Sequence, residues 1–249
     1  LVYRDPVNLE FSTQDSDQHE AWLIKFPAQQ EHPEVCAIEA VYAECLRLCA
    51  IETPDTHFFN LPNGLTAFAS KRFDRQNGMR IPMQSLAAYT GADYKVPGSL
   101  DYRNFLRATL MCTQDVRERL HAFKRAVFNV LFNNRDDHTK NFSFLMEKNG
   151  QWKLAPAYDV TFCEGPGGYH QMDIMGEALN ISRNDIHKLG TSEANLTTLE
   201  VDEIILTMRE IALQFSQIAQ RLYPHQIRES TLQMIQSRIQ QNIDFLTET

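Results

Sequence analysis

The chain has 249 residues, 43% of them hydrophobic, long enough to bury a sizeable core as one large domain or two lobes. Its formal net charge of −8 argues against a protein that holds nucleic acid by phosphate neutralisation, which needs clustered Lys and Arg, so any DNA contact is expected to run through a partner. Five dispersed cysteines with no CxxC pair argue against a disulfide framework or a zinc site, and no uncharged apolar run approaches the about 18 residues of a membrane span.

A reducing, cytoplasmic setting is therefore expected, with no basic-then-apolar leader at the N-terminus. Because Leu1 opens without an initiator Met, the chain is expected to begin inside a longer polypeptide. From Leu1 to about Arg75, short β-rich segments surround one helical pattern, as in a small mixed α/β unit. Trp22 to Phe26 reads as a strand closed by Pro27. Pro33 to Ala50 reads as a helix whose apolar stripe is Val35, Ile38, Val41, Cys45 and Leu48, with Pro54 marking its exit. Leu65 to Phe73 reads as another strand. Tyr102 to Cys112 and Asp115 to Phe132 then predict helices, the second carrying Leu120, Phe123, Val127 and Leu131 at helical spacing.

Phe142 to Met146 and Gln151 to Ala155 are β-leaning runs separated by Lys148-Asn149-Gly150, where Asn-Gly is a strong hairpin signal. Glu164-Gly165-Pro166-Gly167-Gly168 predicts a flexible loop just after Tyr158-Asp159-Val160. Leu199 to about Leu222 and Ile227 to Leu246 predict two long amphipathic helices. The expected class is α+β, with a β-rich N-lobe over residues 1–75 and a mostly helical C-lobe over residues 76–249.

The densest polar cluster, Asn133 to Asn141, lies between an apolar helix and an apolar strand, a frequent setting for active sites; a solvated helix end is the lesser alternative for such a run taken alone. Asp136 and Asn141 are separated by four residues, the interval at which kinase catalytic loops place the catalytic Asp and a magnesium-binding Asn, and Arg135 precedes the Asp as it does there. Phosphoryl transfer needs a carboxylate beside the acceptor hydroxyl and hard oxygen ligands for Mg²⁺, roles that suit Asp136 and Asn141. The hairpin starts after Asn141 and returns before Tyr158, so its open ends meet and Asp159 is expected to share the metal with Asn141.

Upstream, Lys25 on a strand and Glu39 on the next helix follow the order of the kinase ion pair, with Lys25 expected at the ATP α- and β-phosphates. Read separately, a strand Lys is a solubility device and a helix Glu is a solvated side chain. Lys71-Arg72-Phe73-Asp74-Arg75 stands where a hinge would meet the nucleotide, with Phe73 near adenine and Asp74 near the ribose; a solvated strand end is the alternative.

Leu23-Ile24-Lys25, Arg72 to Arg75, Asn134 to Ser143, and Leu154 through Tyr158-Asp159 together resemble the successive motifs of the HipA family of bacterial toxin kinases, in order and approximate spacing. The resemblance covers about residues 20 to 246, and its most specific block is Asp136 to Ser143. It implies a two-lobed, protein-kinase-like fold and an ATP- and Mg²⁺-dependent Ser/Thr protein kinase. By position it implies Lys25 for phosphates, and Phe73 and Asp74 for the nucleoside; Glu39, Lys71 and Tyr158 complete the expected nucleotide-binding set. Asp136 would be the catalytic base, His138 and Lys140 nearby supports, and Asn141 with Asp159 the Mg²⁺ ligands. The family further implies a toxin that phosphorylates a translation-related protein such as an aminoacyl-tRNA synthetase and is restrained by a helix-turn-helix antitoxin.

One departure concerns the glycine-rich, Ser-containing nucleotide loop that the family places before the Lys25 strand. Residues 1 to 20 contain no glycine, and the loop is expected to precede Leu1. Two other classes compete. Asp136-Asp137-His138 suits a divalent-metal phosphoesterase, which leaves Asn141 and the hairpin unexplained. A degenerate kinase fold serving as the binding partner of a DNA-binding antitoxin fits the missing loop but not the intact Asp136, Asn141 and Asp159.

Overall fold

The computed structural model describes residues 1–14, 19–76 and 78–247. Strands β1 (Val2–Arg4), β2 (Phe11–Ser12) and β3 (Glu20–Lys25) open the chain; β3 is followed by helix α1 (Glu34–Leu48), then β4 (Thr56–Asn60) and β5 (Thr66–Lys71). They form one antiparallel sheet in the order β2-β1-β3-β5-β4. The register sets Leu23 opposite Ser70 and Lys25 opposite Phe68. Because side chains alternate across a strand, these four residues share one face.

Helix α1 is buried on two sides. Cys36, Ala40 and Ala43 pack with Phe68 of the sheet, while Ala37, Ile38, Val41, Tyr42, Cys45 and Leu46 enter the main core. A single apolar stripe was therefore too narrow a reading: Leu48 is 43% exposed and Val35 only half-buried, whereas Cys36, Ala37 and Tyr42, outside that stripe, are buried.

A short hairpin of β6 (Arg75–Gln76) and β7 (Met79–Arg80) leads to β8 (Met83–Ser85), then α2 (Leu86–Thr90), α3 (Tyr102–Thr113) and α4 (Val116–Leu131). Ser85, Asp101 and Asp115 cap these three helices, each side chain accepting a backbone N–H of the first turn. The Asn-Gly turn indeed joins β9 (Ser143–Met146) to β10 (Trp152–Leu154), and β8 adds to the hairpin as a third strand.

Helices α5 (Arg183–Glu193), α6 (Thr198–Leu213), α7 (Phe215–Leu222) and α8 (Glu229–Thr247) complete the described chain. Leu199 to Leu222 is not one helix. It breaks at Gln214, and the following Phe215 is fully buried with its ring 5.4 Å from that of Tyr42. Helices α2 and α5 and strands β4 and β8 carried too little periodicity to be read. In α5, Gly190 weakens the helical signal because it is needed for packing: a Cβ there would collide with the side chain of Val201 and meet Phe123 at 3.0 Å.

The main core is aromatic, with Phe105, Phe123, Phe128, Phe132 and Phe144 fully buried. Two sets of contacts bring the sheet unit onto the helical part. Tyr42 Oη donates to the Phe132 carbonyl at 2.5 Å, joining α1 to the end of α4. Ala157 N–H donates to Glu52 O at 2.7 Å, and Thr53 Oγ1 donates to Ala157 O at 3.0 Å, fixing the segment that carries Asp159 against the sheet unit. Among the described residues no helix is long and apolar enough to cross a membrane.

Candidate active site

Lys25 ends β3 on the face that looks toward α1, and its Nζ lies 2.5 Å from Glu39 Oε1 and 2.5 Å from Asp159 Oδ1. Asp159 reaches it from a left-handed backbone, φ 57°, a conformation that Asp tolerates better than most residues with a Cβ. Burial alone would lower the Lys25 pKa, but the Glu39 and Asp159 carboxylates outweigh it and the ammonium is held above its ordinary value. Burial pushes Glu39 upward despite the nearby ammonium. The group opens onto a cavity of about 230 Å³ lined by Leu23, Phe68 and Ser70 of the sheet, Ala43 of α1, and Tyr158.

The Asn133–Asn141 loop leaves α4 through Asn133, whose φ of 54° ends the helix. Asp137 is fully buried and accepts from Tyr102 Oη at 2.8 Å and from Gln171 N–H at 2.7 Å, with His170 Nδ1 2.8 Å away. Tyr102 Oη is itself held by Asn129 Nδ2 at 2.9 Å, and Asn129 Oδ1 accepts from Asn134 Nδ2 at 2.9 Å. Asp137 thus anchors the loop, while Asp136 projects outward with its side chain 45% exposed.

Asp136 Oδ1 accepts from Gln171 Nε2 at 2.7 Å, and His138 Nε2 is 3.8 Å from the same oxygen. Burial raises the Asp136 pKa, the His138 ring opposes this, and Asp159 adds to the rise. Asn141 donates Nδ2 to Asp136 O at 2.8 Å, leaving its amide oxygen for another partner. It shares a narrow cavity with Ala157 and Val160, the residues flanking Tyr158-Asp159. Tyr158 Oη donates to Lys140 O at 2.6 Å and lies 2.6 Å from Ser143 Oγ, closing the base of the hairpin.

The chain trace therefore joins Lys25, Glu39 and Asp159 directly, and sets Asp136, His138, Asn141 and Tyr158 around them. Other expected residues lie elsewhere. Lys71 is one residue out of phase with Ser70, so it leaves the opposite sheet face and pairs with Glu20 at 2.5 Å and Asp55 at 3.7 Å. Asp74 is buried and occupied: Arg72 holds both carboxylate oxygens at 2.6 and 2.5 Å, and Arg75 binds one at 2.5 Å. Burial would raise its pKa, but the two guanidinium groups hold it below the usual value. It clamps a strand end, and three of its acceptor positions are taken by Arg72 and Arg75.

Phe73 packs 5.5 Å from the Tyr158 ring but lines a second cavity of about 550 Å³, between the strand end and the β9–β10 hairpin. Lys140 is exposed, with its ammonium 3.6 Å from the centroid of Tyr94. The Tyr94 ring also lies 5.8 Å from that of His138. The loop expected to be flexible is tethered: Arg135 donates to Gly168 O, and Arg238 Nε donates to Glu164 Oε1 at 2.9 Å. Gly165 is required there, since a Cβ would run into the Tyr169 carbonyl and the Arg135 side chain.

Gln171, His170 and Tyr102, and the anchoring role of Asp137, were missed because each contact joins partners 33 to 35 residues apart, a separation with no local pattern. Asp137 also answers the phosphoesterase reading. Its carboxylate turns into the core away from Asp136, and among the described residues no group of three or more His, Cys, Asp or Glu is placed to hold a metal. Asn141 with Asp159 is a different donor set, one amide oxygen and one carboxylate, which fits Mg²⁺ that takes its other ligands from phosphates and water.

The family model for the HipA-like C-terminal domain matches residues 4–221. A putative kinase of Haemophilus influenzae (strain ATCC 51907 / DSM 11121 / KW20 / Rd) is 25% identical over 167 residues, covering 58% of this chain and 46% of that protein. The chain thus spans about half the length of that curated relative. Among solved structures, HipA of Shewanella oneidensis MR-1, from its complex with HipB and operator DNA, superposes with a TM-score of 0.74 at 16% identity, over 98% of this chain and 62% of that one. The proinflammatory kinase CtkA of Helicobacter pylori gives 0.59 at 14% identity, over 91% and 87%. Both are likenesses of fold, and the fold they share with this chain is the two-lobed, kinase-like α+β architecture.

Proposed function

The chain belongs to the HipA-like C-terminal domain family, and from that premise we propose that it is an ATP-dependent kinase that phosphorylates serine or threonine hydroxyls of a protein. The observation that carries the reading is the double grip of Lys25 Nζ on Glu39 and Asp159, at 2.5 Å each, beside the outward-facing Asp136. In this reading residues 1–75 form the N-lobe and residues 76–249 the C-lobe, with the nucleotide between them.

Glu39 holds Lys25 in the cleft, where its ammonium neutralises phosphate oxygens. Tyr158 floors the nucleotide site, and Phe73 packs behind it at the strand end. Asn141 and Asp159 would hold Mg²⁺, which supplies charge neutralisation to the transferring phosphoryl group. Asp136 accepts the proton of the acceptor hydroxyl, and its raised pKa makes it a better base than an ordinary carboxylate. His138 adds a polar group beside it, and Lys140 supports the loop through its carbonyl contact with Tyr158.

The partners follow from the same premise. The Shewanella HipA was solved with HipB and operator DNA, and a DNA-binding antitoxin restraining a toxin kinase in the cytoplasm is the setting we assign to this chain. Its net charge of −8 fits DNA contact through that partner. The substrate class is a translation-related protein such as an aminoacyl-tRNA synthetase.

The test is phosphate transfer from γ-labelled ATP with Mg²⁺ to proteins of a cell lysate. Wild type is expected to label Ser or Thr, and Asp136→Asn to fall by roughly 10²- to 10⁴-fold, the range for loss of a general base. Equal labelling by the two proteins would overturn the proposal.

A further inference from the structure

Gln171 follows the glycine-rich loop, 35 residues downstream of Asp136, and three of its polar groups are tied to the candidate site and its flank. Its backbone N–H donates to Asp137 Oδ1 at 2.7 Å, its Nε2 donates to Asp136 Oδ1 at 2.7 Å, and its carbonyl accepts from Gly98 N–H at 2.8 Å. The adjacent His170 adds its ring to Asp137 and donates its backbone N–H to Ala178 O at 2.8 Å. Gly98 belongs to the loop that carries Tyr94, the ring on which Lys140 and His138 rest. The Asn133–Asn141 loop and the loop that carries Tyr94, remote in sequence from each other, thus both bond to one residue, Gln171.

Asp136 and Asp137 are held very differently. Asp137 is buried with a partner on each oxygen, so the backbone of the loop is fixed. The Asp136 carboxylate is half-exposed, and a half-exposed carboxylate on a loop keeps most of its rotamer freedom unless something binds it. His138 Nε2, at 3.8 Å, is too far to hydrogen-bond. Among the described residues, the side-chain donor to Asp136 is Gln171.

We propose that Gln171 is the positioning residue for Asp136: its amide fixes Oδ1 and leaves Oδ2 to face the acceptor hydroxyl. The inference rests on the kinase reading above. It deepens that reading, because the same residue also supplies a hydrogen bond to Asp137. The base is therefore oriented only while the segment from Glu164 to Ala178 is seated on the loop, and lifting that segment frees Asp136 and leaves a buried carboxylate short of two partners. Misplacement of a reacting group by about 1 Å costs roughly a hundredfold in rate, which sets the scale of the effect.

Gln171→Met keeps the length of the side chain and the backbone N–H to Asp137 but removes the donor. Its kcat is expected to fall roughly 10- to 100-fold, with the KM for ATP within about twofold of wild type and the melting temperature within about 2 °C. In an Asp136→Asn background the same substitution is expected to cause no further loss, because the group it positions is already gone, whereas a merely structural role would cost the same factor in both backgrounds. The contact has its own readout in ¹⁵N-labelled protein: the Gln171 side-chain amide resonance is expected to move in Asp136→Ala.

An active wild type matched by Gln171→Met, an additive loss in the double variant, or an amide signal indifferent to Asp136→Ala would each overturn the inference while leaving the kinase reading intact. A wild type that transfers no phosphate would remove both.

Discussion

Asn141 shows what a single side chain can be asked to do here. Its Nδ2 is spent on the Asp136 carbonyl, which fixes the orientation of the amide beside the segment that carries Asp159 and leaves its hard oxygen unspent. If the two residues hold Mg²⁺, chelation with EDTA abolishes transfer, and Asn141→Ala raises the Mg²⁺ concentration for half-maximal activity by roughly 10- to 100-fold without altering the fold. A Mg²⁺ titration of initial rates, with circular dichroism as the control for folding, checks both outcomes. A requirement for Mg²⁺ unchanged by Asn141→Ala would remove it from the ligand set.

At this scale the sequence singled out residues that the structure brings together wherever short spacing or simple element order linked them. Asp136 and Asn141 are five apart on one loop, and Lys25, Glu39 and Asp159 needed only the order strand, helix, hairpin. Lys71 failed by a single residue, because the face a strand residue occupies follows from register, and register was not readable until β3 and β5 were paired. Gln171 was invisible for a different reason: its role exists only because the chain returns to the loop 35 residues later.

Among the elements, α1 and α5 carry the clearest tests. The N-terminus of α1 is tied to the start of α8 through Glu34, which is buried and accepts from Arg228 N–H at 2.9 Å, Arg228 Nη2 at 2.5 Å and Thr231 Oγ1 at 2.9 Å. Burial would raise the Glu34 pKa, but the hydrogen bonds from Arg228 and Thr231 outweigh it and hold the carboxyl below its ordinary value of 4.5. The sign follows from linkage: the contribution is complete above about pH 4.5 and disappears as pH falls through the lower folded value.

Glu34→Gln is therefore expected to lose about 1–3 kcal/mol at neutral pH, with the gap from wild type narrowing in acid. Urea denaturation at pH 7 and pH 4 measures both. In α5, Gly190→Ala would gain up to about 1 kcal/mol of helix propensity on an open surface. Here the new methyl meets Val201 and Phe123 in a packed interior, so a net loss of about 1–3 kcal/mol is expected from the same denaturation measurement. Helix α5 was unreadable for the very reason that makes this test sharp, since a buried glycine interrupts periodicity while permitting close packing.

For the whole molecule, a strand-rich start and a helix-rich remainder were legible, although the helices begin only at Leu86, after the short strands β6 to β8, and how the two parts meet was not readable. That contact runs through Tyr42 on Phe132, Thr53 and Glu52 on Ala157, and Lys25 on Asp159, pairs separated by 90 to 134 residues. A nucleotide bound across this junction stabilises both parts at once. ATP with Mg²⁺ at about 100 times its Kd is expected to add roughly 2.7 kcal/mol and raise the melting temperature by roughly 5–10 °C. Lys25→Met should abolish the shift, and differential scanning fluorimetry of the two proteins gives the comparison. A shift retained in full by Lys25→Met would place the nucleotide elsewhere.

Helix α1 has one more consequence. Glu34 and Glu39 stand five residues apart on the same 15-residue rod, the first gripped by the C-terminal helix region and the second gripping Lys25. Side chains interlock on two of its sides, so the rod has little room to bend or to roll independently of its surroundings. The helix is thus a single connection between the Arg228 contact at its start and the Lys25 contact about a turn and a half further on.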